Sequence, residues 1–248
     1  MLCLNIGDTI YRLTTPHSCS REIIPRDNFM SQAFYLPNFQ VAPVQLDGFI
    51  GDTDRGGSCN VNQISFTPHN LTHIETAAHI IKSGPTVKDI PIQTMHGICQ
   101  VIDLSDAEFP DNYIHPDHIK SQLLDHSIQI LAIKTPASII PADHDFSGTD
   151  PLSLHPTTGK YLSEHHPDIK LLIVDLPSVD QEDDGGKLLA HRYFLEIEGN
   201  STSKRKAIIE LAYFSEIKSS GRYYAIITPA RVDLDAMITD VVLFDLTK

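Results

Sequence analysis

Apolar residues fall along this chain in short runs bounded by polar and proline-bearing segments, the pattern of strands buried on both faces of a sheet. Cys99–Leu104, Gln129–Lys134, Lys170–Asp175, Lys206–Glu210, Tyr223–Thr228 and Asp240–Asp245 read this way. The run Lys-Leu-Leu-Ile-Val-Asp at 170–175 is the most apolar and is expected at the sheet centre. Gln40–Asp47 and Gln63–Thr67 add outer strands, separated by a turn at Gly48–Gly51 and a loop over Asp52–Asn60. Helical signals are fewer. Leu154 is followed by Tyr161, Leu162 and His165 at helical spacing, so a helix is expected over Pro156–His165, with Pro167 stopping it. Ser121–His126 reads as a helical turn and Lys187–Ile197 as a further helix or extended element. Residues 1–38, where Pro16, Pro25 and Pro37 interrupt short apolar pieces, read as an irregular N-terminal arm. The 248 residues are expected to form a single domain around one core.

Charge narrows the functional classes. Nineteen basic against 32 acidic residues leave a formal charge of -13, which disfavours nucleic acid and anionic membranes as partners. No run approaches the roughly 18 apolar residues that span a bilayer. The start of the chain lacks the basic and apolar regions of a secretory signal. Cys3, Cys19, Cys59 and Cys99 have no paired CxxC spacing and are expected as reduced thiols. A cytoplasmic protein acting on a small molecule is the expectation. The sequons at Asn70 and Asn200 then carry no meaning. No GxSxG elbow, GxGxxG fingerprint or P-loop is present, which removes the common serine-hydrolase and nucleotide-binding readings.

What stands out chemically is His69–His79, read His-Asn-Leu-Thr-His-Ile-Glu-Thr-Ala-Ala-His. His69, His73, Glu75 and His79 all occupy odd positions, so an extended backbone aims them to one side, whereas an ideal helix turns Glu75 away from His69 and His73. We expect an extended run through Glu75 and a helical continuation from Thr76 that keeps His79 one turn above Glu75. Imidazole nitrogens and carboxylate oxygens are ligands for zinc, manganese and iron, so the segment points to a divalent metal. A catalytic ion keeps one position open for water or substrate, and the histidine segment alone need not supply the rest of the shell, so later carboxylates or histidines are expected. His191 and Glu210 are the best candidates: each lies beside an apolar run that carries it inward, and a buried acid such as Glu210 requires a partner or a metal.

The segment resembles the HxGTHxDxPxH signature of the bacterial cyclase and kynurenine formamidase family of metal-dependent hydrolases. His69, Thr72, His73 and His79 match, while Leu71, Glu75 and Ala77 replace the glycine, aspartate and proline. Lys206–Leu211 resembles the family's later glutamate segment, and Val174–Asp180 a turn that precedes it. The resemblance implies an α/β (α+β) fold of the swivelling β/β/α type, a barrel-like mixed sheet with flanking helices. It implies one or two divalent ions, zinc first and manganese as the alternative, held by His69, His73, Glu75, His191 and Glu210, with Glu75 bridging. His79 takes the place of the proton-shuttling histidine. The implied reaction is hydrolysis of an amide, formamide or lactam by an activated water, as in kynurenine formamidases. A cyclase, dehydratase or lactone hydrolase, or a noncatalytic metal-binding relative, are the alternatives. Members are oligomeric, so a homodimer or homotetramer is expected. The chain has no tryptophan, so substrate stacking falls to a residue such as Phe34 or Tyr35.

Overall fold

The computed structural model describes residues 3–6, 9–25, 29–123 and 127–248. In chain order the elements are β1 (Cys3–Ile6), β2 (Thr9–Ser18), β3 (Gln40–Pro43), β4 (Gln45–Leu46), β5 (Phe49–Ile50), β6 (Asn62–Ser65), β7 (His73–Thr76), β8 (His96–Asp103), β9 (Tyr113–Ile114), α1 (Pro116–Ile119), β10 (Ile130–Lys134), β11 (Ser153–Leu154), α2 (Pro156–His165), β12 (Leu171–Val174), α3 (Leu189–Phe194), β13 (Ala207–Glu210), β14 (Gly221–Ile227), β15 (Ala236–Ile238) and β16 (Val241–Thr247). Ten strands form one mixed sheet in the order β1-β2-β16-β14-β8-β10-β12-β13-β7-β15. The middle four, β8, β10, β12 and β13, run parallel. Antiparallel strands flank them on both sides. This is the mixed α/β sheet with few helices that the sequence led us to expect.

Alternation explains how the sheet is buried on both faces. In β12, Leu172 and Val174 join the cluster that includes Leu162 of α2 and Ala190 and Phe194 of α3. Leu171 and Ile173 join the opposite cluster with Ile74, Ala225 and Leu243. β10 and β13 divide their residues in the same way, so the apolar runs at the centre serve two cores at once. Close packing between helices rests on Gly159, where an added Cβ would lie 2.6 Å from the Ala190 carbonyl oxygen. α2 can therefore press its backbone against α3 one residue before His191.

Three expectations need correcting. The N-terminal arm is not irregular throughout: β1 and β2 pair antiparallel, and β2 is a ten-residue strand paired to β16, whereas no further strand is seen among the described residues until β3. Pro16 is tolerated because, among the described residues, β1 pairs with β2 only as far as Arg12, and because the β2–β16 register shifts nearby, between Phe244 and Leu246. The histidine segment is not extended throughout, since a 3₁₀ turn over Pro68–Asn70 precedes β7 and a second one over Ala77–His79 stands in place of a longer helix. The chain then folds back so tightly that a Cβ on Gly84 would lie 2.5 Å from the Ala77–Ala78 peptide. The sequence reads His165–His166 as an exposed helix end, but His166 is buried and its Nε2 lies 3.3 Å from the Tyr161 hydroxyl. Pro156–His165 is helical as expected, and Lys187–Ile197 resolves into the short helix α3. The turn expected over Ser121–His126 falls partly on residues 124–126, outside the described residues.

Candidate metal centre

Strand pairing assembles the centre. Glu210 of β13 lies directly across the ladder from His73 of β7, and Ile208 across from Glu75. Residues paired in this way share a face, so His73, Glu75 and Glu210 all project toward the α3 side, while Ile74 and Ile209 point to the opposite core. From above, α3 delivers His191. The turn over Pro68–Asn70 brings in His69, and the turn over Ala77–His79 brings in His79. All six residues expected from the sequence thus converge, despite separations of more than a hundred positions.

The distances make Glu75 the hub. Its Oε1 lies 2.5 Å from His191 Nε2, and its Oε2 lies 3.4 Å from His69 Nδ1, 3.6 Å from His73 Nε2 and 3.9 Å from His79 Nε2. Glu210 Oε2 is 3.7 Å from His73 Nε2, and its Oε1 is 3.4 Å from His191 Nε2 while accepting the Val179 N–H at 2.7 Å. His79 is offset toward the opening and is partly exposed, with its ring 4.5 Å from that of His69.

The outer hydrogen bonds fix which nitrogens face inward. His73 Nδ1 donates to the Leu71 carbonyl at 2.8 Å, leaving Nε2 toward the acids. His191 Nδ1 donates to Asp180 at 2.7 Å, leaving Nε2 toward Glu75. Asp180 also accepts the Ala190 and His191 N–H groups, so the same carboxylate caps α3 and orients its histidine. Just after Glu210, Leu211 adopts φ 54, and its carbonyl accepts the Thr72 hydroxyl at 2.6 Å. A left-handed leucine is costly, and here it turns the chain away as soon as Glu210 has reached the site.

Two residues escaped the sequence reading. Asp235, just ahead of β15, lies 3.2 Å from His69 Nε2 and 3.5 Å from His79 Nδ1, and forms a third possible ligand group with those histidines. Its neighbours Asp233 and Leu234 give it no distinguishing pattern, and only the β15–β7 pairing brings it near. Asp180 ends the Val174–Asp180 turn already noted, but it sits in a loop rich in acids, where the sequence gives no sign that its carboxylate orients His191. Of the two aromatic residues named for stacking, Phe34 lines the cavity beside His69 and His79, whereas Tyr35 is 77% exposed.

Electrostatics confirm a charge-dense interior. Burial alone would raise the Glu75 carboxyl, but the His191, His69 and His73 imidazoles outweigh it and hold it well below the usual carboxylate range. Burial would lower His69, yet Asp235 and Glu75 push it up to about 10, and the His69 contact takes Asp235 down to about 2. His191 is likewise raised, its burial overridden by Glu75, Asp180 and Glu210.

The residues present fit a divalent metal. His73 Nε2 and Glu75 Oε2 are buried without a hydrogen-bond partner, although such atoms are almost always satisfied in folded proteins. Both face the same small space, and the groups His69–His73–Glu75 and Glu75–His191–Glu210 each gather ligand atoms within 4.8 Å of one another. Nitrogen and carboxylate donors of this kind suit a divalent transition metal. Glu75, common to both groups, has the reach to serve either one ion or two.

Several known proteins resemble this chain in sequence or in fold. The Cyclase family, described as "Putative cyclase", matches residues 11–181. Kynurenine formamidase of Bacillus cereus is 30% identical over 141 residues, and that of Salinibacter ruber 28% identical over 139. These alignments cover 57% and 56% of this chain but only 63% and 61% of the relatives' own length. Among solved structures, isatin hydrolase A from Labrenzia aggregata bound to benzyl benzoate superposes with a TM-score of 0.68 at 17% identity, covering 93% of each chain. A "predicted metal-dependent hydrolase from Bacillus stearothermophilus" gives 0.68 at 19% identity, covering 93% of this chain and 98% of that one. At these identities the structural likeness concerns the fold. The match over most of the sequence shows that the chain belongs to the Cyclase family.

Proposed function

We propose that the protein is a metal-dependent hydrolase of a carbon–nitrogen bond in an amide, formamide or lactam, similar in reaction to kynurenine formamidase. One observation carries the reading: the unpartnered Nε2 of His73 and Oε2 of Glu75, buried beside three further metal-type donors. The relatives' names support the reaction class, since kynurenine formamidases and an isatin hydrolase are among them. His69, His73, Glu75, His191 and Glu210 would hold the cation, zinc in the first instance and manganese as the alternative. When bound, such an ion supplies Lewis acidity and brings the pKa of water to about 7.

The chain's own groups supply the rest. His79, partly exposed at the opening and 3.5 Å from Asp235, is placed to take the proton from water and pass it to the leaving amine. Asp235 orients that ring through Nδ1. Phe34 offers an apolar wall for the substrate. We further propose a small-molecule substrate, a cytoplasmic setting and a homodimer or homotetramer, with no nucleic acid or membrane partner. The four cysteines are free, and among the described residues no helix is long and apolar enough to cross a membrane.

Elemental analysis of protein purified without added metal, followed by assay of formanilides, lactams and lactones before and after chelation, tests the reading. Stoichiometric zinc or manganese with chelator-sensitive amide cleavage is expected; a metal-free protein with full activity overturns it. Lactone cleavage alone would favour the ester-hydrolase or cyclase alternative.

Two substitutions separate the roles. His79→Ala should keep its metal content and lose about 10²- to 10⁴-fold in kcat, as for removal of a general acid or base. Loss of metal along with turnover would instead make His79 a ligand. Asp180→Asn keeps a hydrogen-bonding side chain but removes the charge beside His191 Nδ1, and should lower zinc affinity about 10- to 100-fold in competition with a chromophoric chelator. Unchanged affinity would mean that α3 holds His191 without help.

A further inference from the structure

Beside the centre lies an open cavity of about 340 Å³ whose walls have two characters. Phe34, Leu36 and Leu188 form an apolar side, and Asp180, Glu182, Asp184 and Glu210 an acidic one, with the His69 and His79 imidazoles at the end next to the metal centre. Among the described residues, no lysine or arginine lines it. Lys187, between the lining residues Gly186 and Leu188, is itself exposed and not part of the wall.

The acids cannot readily swing aside. Asp184 accepts the N–H groups of Gly186, Lys187 and Leu188, and Asp180 those of Ala190 and His191. Glu182 accepts the Gly148 N–H at 3.1 Å. These bonds go to the ionised carboxylates and fix negative charge where a substrate must enter.

We propose that this cavity selects a carbonyl substrate with an apolar body that is neutral or cationic and bears no carboxylate of its own, an inference that rests on the metal-dependent hydrolase reading. A substrate carboxylate here would be drawn out of water with no lysine or arginine to pair it, and His69, a ligand in the metal-loaded protein, is neutral there. Bound metal does not reverse the balance. Two divalent ions bring four positive charges, and they face six carboxylates: Glu75, Asp180, Glu182, Asp184, Glu210 and Asp235. The overall charge of -13 acts in the same direction on approach. An amino-acid amide with a free carboxylate is therefore a poor fit, and an uncharged anilide or lactam, or one carrying a remote amine, is a good one.

The test uses benzohydroxamic acid, whose hydroxamate anchors on a metal, as three isosteres bearing 4-carboxylate, 4-carboxamide or 4-aminomethyl groups. Titration calorimetry on the zinc-loaded protein should rank the carboxylate at least about tenfold weaker than the carboxamide, with the amine equal or tighter. Glu182→Lys should narrow the gap between carboxylate and carboxamide by about threefold or more. A carboxylate that binds as tightly as the carboxamide overturns the selectivity inference while leaving the metal centre standing. Failure of all three to bind, with no zinc retained, overturns the hydrolase reading itself and this inference with it.

Discussion

Glu75→Gln should strip the protein of both metal and activity, a larger effect than any other single change in the centre. The two ligand groups share this residue, so its removal opens both at once. Glutamine keeps the volume and one oxygen but loses the charge that holds the His69, His73 and His191 imidazoles together. We expect zinc content after dialysis to fall below a tenth of stoichiometric and kcat/KM to fall by about 10³-fold or more, equivalent to about 4 kcal/mol of transition-state stabilisation. Metal-free stability should fall too, because breaking a buried ion pair costs about 3–5 kcal/mol. A circular-dichroism melt is therefore measured beside the metal analysis. Glu75→Asp serves as the control, since it retains the charge, one methylene shorter, and matches the family signature. Its metal should remain. A folded Glu75→Gln protein with stoichiometric zinc and undiminished turnover would falsify the assignment of Glu75 as the shared ligand.

The contrast between what the sequence disclosed and what it concealed follows from the range of the interactions. His69, His73, Glu75 and His79 sit within eleven positions, so their convergence is partly local and shows as spacing. His191 and Glu210 were legible for a different reason: a charged or imidazole side chain beside a run such as Ala-Ile-Ile must be buried with a partner. Asp235 was not legible, because its role depends on β15 pairing with β7 across more than 150 residues of chain. The local path of the histidine segment was misjudged in its first part. Alternation suggested a strand from His69, but Pro68 begins a 3₁₀ turn there, and the ring of His69 arrives from outside the strand. The N-terminal strands were hidden because polar and half-exposed residues dominate β2, so little hydrophobic pattern marks it. The central strands, buried on both faces, left the clearest trace.

Raising the pH should destabilise the metal-free protein and widen the gap between it and the zinc-loaded form. In the absence of metal, His69 is held protonated up to about 10 by Asp235 and Glu75, against 6.5 for an ordinary imidazole. A base whose pKa is raised by folding lends stability that is complete below 6.5 and disappears as pH climbs to about 10. His191, also raised, acts with the same sign. Asp235, taken down from 3.8 to about 2, and Glu75, also depressed, act oppositely: their contribution is present above the ordinary carboxylate range and is lost toward acid. The metal-free protein should therefore be most stable between roughly pH 4 and 6.5. Each proton held by the native state alone changes stability by about 1.4 kcal/mol per pH unit, so one such histidine gives a loss of about 3 kcal/mol between pH 7 and 9. For a chain of this length that is on the order of ten degrees in Tm. Zinc has the opposite preference, because it binds neutral imidazoles and displaces those protons, so its affinity strengthens over the same interval. Melts in chelator and in excess zinc at pH 6, 7, 8 and 9 should diverge steadily. Curves that stay parallel, or a metal-free Tm that rises toward pH 9, would mean that the imidazoles are already neutral in the empty centre and that Glu75 and Asp235 do not hold protons on them.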